Sequence, residues 1–196
     1  MASGSSAVAV AVLAAAGLGC TCRQQLARRQ RCRSADISLR ELTKATLYDI
    51  LRLKVAPSQQ RFVASNAESV AEAHFNQQTA WFRGIYAGDT PVGFLMLSQQ
   101  LDAASRGDAP HAAYYLWRLM IDASHQGRGY GRAAMLLLIE HVRSQPEGTE
   151  LFTSFDPGGA EAFYASLGFV HTGRVIDGEI EMRLAIEPPP PRPRPL

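Results

Sequence analysis

Between Ile37 and Ile186 the spacing of apolar positions switches repeatedly between a period of two and a period of about 3.6, and each switch marks a new element. "ISLRELT" alternates and predicts a first strand. "TLYDILRLK" has Leu47, Ile50, Leu51 and Leu53 at helical spacing. "SNAESVAEAHF" predicts a second helix, with Ser65 or Asn66 as its N-cap. "WFRGIYAGDTPVGFLML" reads as two strands joined at Gly88-Asp89, and "AAYYLWRLMI" as a long aromatic strand. In "GRAAMLLLIEHVRS", Met135, Leu138, Ile139 and Val142 fall on one helical stripe. "ELFTSF" is a strand and "GGAEAFYASLG" a short helix closed by Gly168. "FVHTGRVIDGEIEMRLAI" is a hairpin turning at Asp177-Gly178, with Ile180, Met182, Leu184 and Ile186 on one face of its second strand. The order β-α-α-β-β-β-α-β-α-β-β predicts an α/β (α+β) domain. Its sheet is mixed and flanked by helices, not doubly wound.

One stretch does not fit that rhythm. "HQGRGYGR", His125–Arg132, sets three glycines between a strand and a helix. The first turn of a helix carries N–H groups with no internal partner, and the helix dipole adds partial positive charge. Glycines let an anion approach that backbone, and Arg128 and Arg132 bring forked donors. The stretch therefore reads as a phosphate cradle, with a plain turn before a helix as its alternative. It is not a P-loop, because no Lys-Ser or Lys-Thr follows. It is a poor dinucleotide fingerprint, because the spacing is G-x-G-x-G and no βαβ repeat follows.

Composition adds the ends. Residues 1–35 hold no Asp or Glu, run through "AVAVAVLAAAGLG", and then carry Arg23, Arg28, Arg29, Arg31 and Arg33. That is the composition of an organelle transit peptide, in a two-part form that favours a plastid over a mitochondrion. A secretory signal, a membrane anchor and plain disorder are the alternatives. The apolar run is shorter than the roughly 20 residues an anchor needs, so no stable membrane association is expected of the mature protein. Residues 187–196, "EPPPPRPRPL", are Pro-rich and cannot extend a helix or sheet. The domain is expected over 36–186. With 46% hydrophobic and 19% charged residues in a chain of 196, it can bury a sizeable core. A net charge of +2 gives no argument for nucleic acid as a partner. Cys20, Cys22 and Cys32 all lie in the leader, so neither a disulfide framework nor a metal site is expected.

"QGRGYG" resembles the Q/R-x-x-G-x-G/A signature of the GNAT N-acetyltransferases, and it follows a long strand as that family's signature does. "GAEAFYASLGF" resembles the family's later tyrosine-bearing helix. "LRLKV", "FVASNAESVAEA", "YYLWRLMID" and "DGEIEMRL" look closer still to the bacterial spermine/spermidine (diamine) acetyltransferases. The likeness covers nearly all of Ile37–Ile186 and neither tail. It implies a mostly antiparallel sheet that splays after the fourth strand. It also implies acetyl-CoA as donor and a small-molecule amine, of polyamine or diamine kind, as acceptor. The pantetheine arm would lie along Leu119, Met120 and Ile121. The pyrophosphate would rest on Gln126, Gly127, Arg128, Gly129, Tyr130, Gly131 and Arg132. Tyr164 would be the acid for the leaving thiolate, a phenol near pKa ~10 serving a thiol of ~8.5 or higher. The domain has no cysteine for an acetyl-enzyme, in keeping with direct attack by the amine. The amine must also lose a proton, and Glu72, Asp122, Glu150 and Asp156 are candidates among which the sequence does not choose. Many family members have Asn where this chain has Pro157, which removes one expected contact to the donor or passes it to a neighbour such as Asp156. Acceptor binding is expected from Gln59–Glu72, through Arg61, Phe62, Asn66, Glu68 and Glu72. Dimers are common in the family, so a homodimer is a state the resemblance allows. Two alternatives stand beside the small-amine reading: acetylation of protein lysines or N-termini, and a non-catalytic acyl-CoA-binding domain.

Overall fold

A computed structural model describes residues 36–101, 113–145 and 148–187. Residues 1–35, where a leader is expected, and all but the first residue of the Pro-rich stretch 187–196 lie outside the described residues. Strands β1 (Ile37–Arg40), β2 (Ala80–Ala87), β3 (Thr90–Leu101), β4 (Ala113–Ile121), β5 (Glu150–Phe155), β6 (Val170–Ile176) and β7 (Glu179–Ala185) form one sheet in the order β1-β2-β3-β4-β5-β7-β6. Helices α1 (Leu47–Leu51), α2 (Asn66–Phe75), α3 (Tyr130–Arg143) and α4 (Glu161–Ser166) complete the predicted order. Two 3-10 turns, Pro57–Gln59 and Ala123–His125, escaped the periodicity because each is shorter than one period.

The sheet separates two apolar layers. On one face Ile50 of α1 and Ala73 of α2 meet Tyr86, Phe94, Met96 and Met120. On the other, the stripe Met135, Leu138, Ile139 and Val142 of α3 meets Val92, Leu95, Leu97, Leu116 and Leu151. β3 faces both layers, which is why it reads as the unbroken run "VGFLML" and not as an alternation. Each fully buried Leu or Met of these layers contributes roughly 1.5–3 kcal/mol relative to an exposed one. β7 departs from simple alternation. Glu181, on the face opposite Met182, is fully buried under β6, where the Thr172 hydroxyl donates to its Oε2 at 2.8 Å. A period-two pattern registers which face a residue takes, not whether a neighbouring strand covers it.

Every neighbouring pair of strands is antiparallel except β4 and β5, which α3 connects and which run parallel. Their pairing is short: Tyr114, Tyr115 and Leu116 oppose Leu151, Phe152 and Thr153. Beyond that point β4 stays with β3 as far as Ile121, while β5 stays with β7 as far as Phe155. The sheet therefore opens between its fourth and fifth strands, as the family resemblance implied.

α2 begins with a reciprocal cap. The Glu68 N–H donates to Ser65 Oγ at 3.2 Å, and the Ser65 N–H donates to Glu68 Oε2 at 2.8 Å. Ser65, not Asn66, is thus the N-cap. Replacing it with Ala should cost about 1 kcal/mol, read as a fall in melting temperature of about 3 °C. An unchanged melting temperature would show that α2 does not need its cap.

Candidate active site

The opening between β4 and β5 is a cleft of about 1540 Å³. Its walls are β4 from Tyr115 to Ile121, the segment after it, the end of β5, one side of α4, the β6–β7 hairpin and the stretch from Ser58 to Ala64. On its β5 side, β4 has no strand partner after Leu116. Leu119, Met120 and Ile121 line this free edge, so the backbone predicted to meet the donor does face the gap. The carbonyl of Ile121 is taken by the Gln126 side chain, whose Nε2 donates to it at 2.9 Å and to Gln59 Oε1 at 2.8 Å.

The glycine stretch wraps the N-terminus of α3. Gly127 and Gly129 have φ of 69° and 81°, and Gly129 is the N-cap. A Cβ at either would meet nothing within 4 Å, so the need for glycine there is conformational and the space before the helix start stays open. Gly131 differs: a Cβ there would sit 3.6 Å from Ile121 and 3.7 Å from Phe163, within a packed wall. Gln126, Gly127, Gly129, Tyr130, Gly131 and Arg132 all line the cleft, and Arg128 does not. Arg128 Nη2 donates to the Ser124 carbonyl at 3.0 Å, which holds it on the outside of the turn. Arg132 Nη1 donates to the Ser166 carbonyl at 3.0 Å and so ties the start of α3 to the end of α4. A helix start with open N–H groups and left-handed glycines fits a pyrophosphate; the two arginines serve first to hold the loop.

Tyr164 is buried on α4, with ring centroids 5.3 Å from Phe163, 5.5 Å from Phe169 and 6.3 Å from Phe155. It nevertheless lines the cleft. Burial pushes its phenol above its ordinary value; a hydrogen bond with Thr153 pulls it back, and Tyr115 and the Glu179 carboxylate push it up again. A phenol is protonated through the physiological range in any case, and this burial shifts its titration further upward.

Other predicted residues sort themselves by their partners. Asp122 is a cap: its carboxylate accepts from Ser124 N at 3.0 Å, Ser124 Oγ at 2.5 Å and Lys54 N at 2.9 Å. Burial alone would raise its pKa, but these hydrogen bonds win and lower it. Glu72 pairs with Arg118 at 2.9 Å and Glu150 with Arg183 at 2.6 Å, so both carboxylates are engaged. Asn66 is buried and donates to the Ile50 carbonyl at 2.8 Å; it joins α1 to α2 and does not face the acceptor. Arg61, Phe62 and Glu68 do line the cleft, as does Asp156, while Pro157 does not. The sequence offered no signal for Tyr115, Ser154 and Glu179. They come from three strands, and Tyr115 Oη lies 2.5 Å from Ser154 Oγ, which in turn donates to Glu179 Oε2. Among the described residues no cluster of His, Cys, Asp and Glu could hold a metal, and no helix is long and apolar enough to cross a membrane.

A cleft opened by strand divergence, floored by a helix N-terminus and walled by a buried tyrosine, has the layout of an acetyl-CoA-dependent acyltransferase. The family model described as acetyltransferase (GNAT) family matches residues 45–169, and the chain belongs to that family. It is an acetyltransferase with acetyl-CoA as donor. No curated protein matches the chain significantly by sequence. Solved structures share its fold. An acetyltransferase from Thermus thermophilus is 21% identical over 76% of this chain and 96% of its own, with a TM-score of 0.55. The ribosomal-protein-S18-alanine N-acetyltransferase of Escherichia coli is 20% identical over 80% and 97%, with a TM-score of 0.56. The Bacillus subtilis N-acetyltransferase YlbP, in complex with coenzyme A, is 21% identical over 76% and 95%, with a TM-score of 0.52.

A valine at position 129 cannot adopt the left-handed backbone without about 1–3 kcal/mol of strain. Gly129→Val should therefore raise the KM for acetyl-CoA about tenfold or more, measured by thiol release. An unchanged KM would remove the loop from donor binding.

Proposed function

We propose that this chain moves the acetyl group of acetyl-CoA to a primary aliphatic amine of the diamine or polyamine kind, by direct attack of the neutral amine on the thioester. The observation that carries the reading is Tyr164: a buried phenol with its titration shifted upward, on the wall of the gap where the free edge of β4 can take the donor. Tyr164 gives its proton to the sulfur as the C–S bond breaks, which spares the expulsion of a bare thiolate. A cationic acceptor is favoured by the carboxylates of Glu68, Asp156, Asp177 and Glu179, all of which line the cleft. Arg61, Arg118, Arg132 and Arg174 line it too; Arg118 is paired with Glu72, Arg61 lies over the Phe62 ring and Arg132 bonds the Ser166 carbonyl. We further read residues 1–35 as an organelle-import leader, on their lack of acid and their run of arginines.

The test is thiol release from acetyl-CoA by the full chain, with spermidine, spermine, putrescine, lysine-containing peptides and N-terminal peptides as acceptors. Saturable turnover confined to the polyamines supports the proposal. Turnover confined to peptides replaces it with protein acetylation. Tyr164→Phe should lower kcat about 100-fold and leave the acetyl-CoA KM within about threefold. Because the phenol is pushed up and acts in its protonated form, raising the pH toward about 10 should not switch off the wild-type kcat. A kcat that Tyr164→Phe leaves intact while chemistry limits the rate would remove the acid role.

A further inference from the structure

Resting on that reading of the cleft, we propose that Glu179 is the carboxylate that receives the acceptor's ammonium group and takes its proton, and that Ser154 and Tyr115 are the positioning residues that aim it. Four observations converge. Glu179 stands at the first position of β7, directly after the turn at Asp177-Gly178, and lines the cleft. Ser154 Oγ donates to its Oε2, which commits the only hydroxyl proton of Ser154. The 2.5 Å contact between Tyr115 and Ser154 must then be donated by the tyrosine. The two hydroxyls thus form a relay that ends on the carboxylate, Tyr115 of β4 holding Ser154 of β5 and Ser154 holding Glu179. Among the described residues the Glu179 side chain makes no ion pair and no hydrogen bond besides the one from Ser154. Lastly, Glu179 and Tyr164 line the same cleft, and the Glu179 charge is among the causes that push the Tyr164 phenol up.

The chemistry balances. The ammonium of the acceptor gives one proton to the Glu179 carboxylate and becomes a neutral amine. The amine nitrogen attacks the thioester carbon. The C–S bond then breaks as Tyr164 gives its proton to sulfur, and the nitrogen's surplus proton returns to the Tyr164 phenolate. Glu179 releases its proton to solvent at the mouth of the cleft. The sum is an amide, a thiol and one proton set free. The charged or titratable groups that share this end of the cleft are Tyr115 on β4, Asp156 after β5, Tyr164 on α4, Arg174 on β6 and Asp177 in the turn. Of the four carboxylates in the cleft wall, Glu179 is the one at the end of this hydroxyl relay. Glu68 is occupied instead in the cap of α2.

The experiment compares the full chain with Glu179→Gln and Ser154→Ala, using two acceptors: putrescine, protonated at neutral pH, and a hydrazide, which is already neutral there. At pH 7 Glu179→Gln should lower kcat/KM for putrescine about 100-fold, lower that for the hydrazide about threefold at most, and leave the acetyl-CoA KM unchanged. Raising the pH to about 10, where free amine forms unaided, should restore much of the putrescine rate. Ser154→Ala should lower the putrescine kcat/KM about fivefold by loosening the carboxylate, with the hydrazide rate kept. A merely structural role would lower both acceptors together and would not recover at high pH; that result overturns the proposal. So does equal turnover of putrescine by wild type and Glu179→Gln, which leaves the amine-acetylation reading standing. If the wild type releases thiol with neither amine nor hydrazide, the amine reading and this inference fall together.

Discussion

The rest of the molecule depends on how briefly β4 and β5 are paired. Parallel neighbours in a sheet normally bond along their whole common length. Here they bond over Tyr114–Leu116 and Leu151–Thr153, after which each strand follows a different partner. The backbone groups of β4 beyond Leu116 are thereby left on one side without a ladder, a costly arrangement unless water or a ligand satisfies them. Both cores are built to hold that divergence open. α3 packs across the point of separation with its apolar stripe, and α1 and α2 hold β3 and β4 from the opposite face.

The divergence also decides which side chains can act. At its apex, residues from β4, β5, β7 and α4 meet within hydrogen-bonding or ring-contact distance. The surroundings of two groups there differ. Tyr164 is buried among phenylalanines, which pushes its phenol up; the Glu179 carboxylate, less deeply buried, accepts from the Ser154 hydroxyl. A site that must remove one proton and supply another needs both a base and an acid, and the divergence brings a carboxylate and a phenol to the wall of one gap.

Most of this fold could be read from the chain, and the reasons it could are local. The α3 stripe of Met135, Leu138, Ile139 and Val142 is buried as its spacing demands, and Asp177, with φ of 51°, turns the last hairpin where Asp-Gly announced it. The glycine stretch was legible because left-handed positions before a helix require that residue. What stayed hidden belongs to register. Nothing in "AYYLW", "LFTSF" or "DGEIE" shows that Tyr115, Ser154 and Glu179 come together, because each contact is set by how far one strand slides along another. Asp122 and Glu150, two of the candidate bases, prove to be a cap and an ion-pair partner; the place of Asp122 just after a strand already suited a cap. Arg128 shows the same limit: the sequence left phosphate contact and a solvated helix-start arginine both open, and its side chain here bonds the Ser124 carbonyl.

The bond from Arg132 to the Ser166 carbonyl gives the cleft a property beyond its shape. It couples the helix start that would anchor one end of the donor to the helix that carries Tyr164. From the same loop Gln126 clasps the end of β4 and Gln59. One short glycine stretch thus pins three walls of the cleft to each other, as a rivet joins the arms of tongs, and a change in the loop is felt by the strand edge and by the tyrosine helix alike.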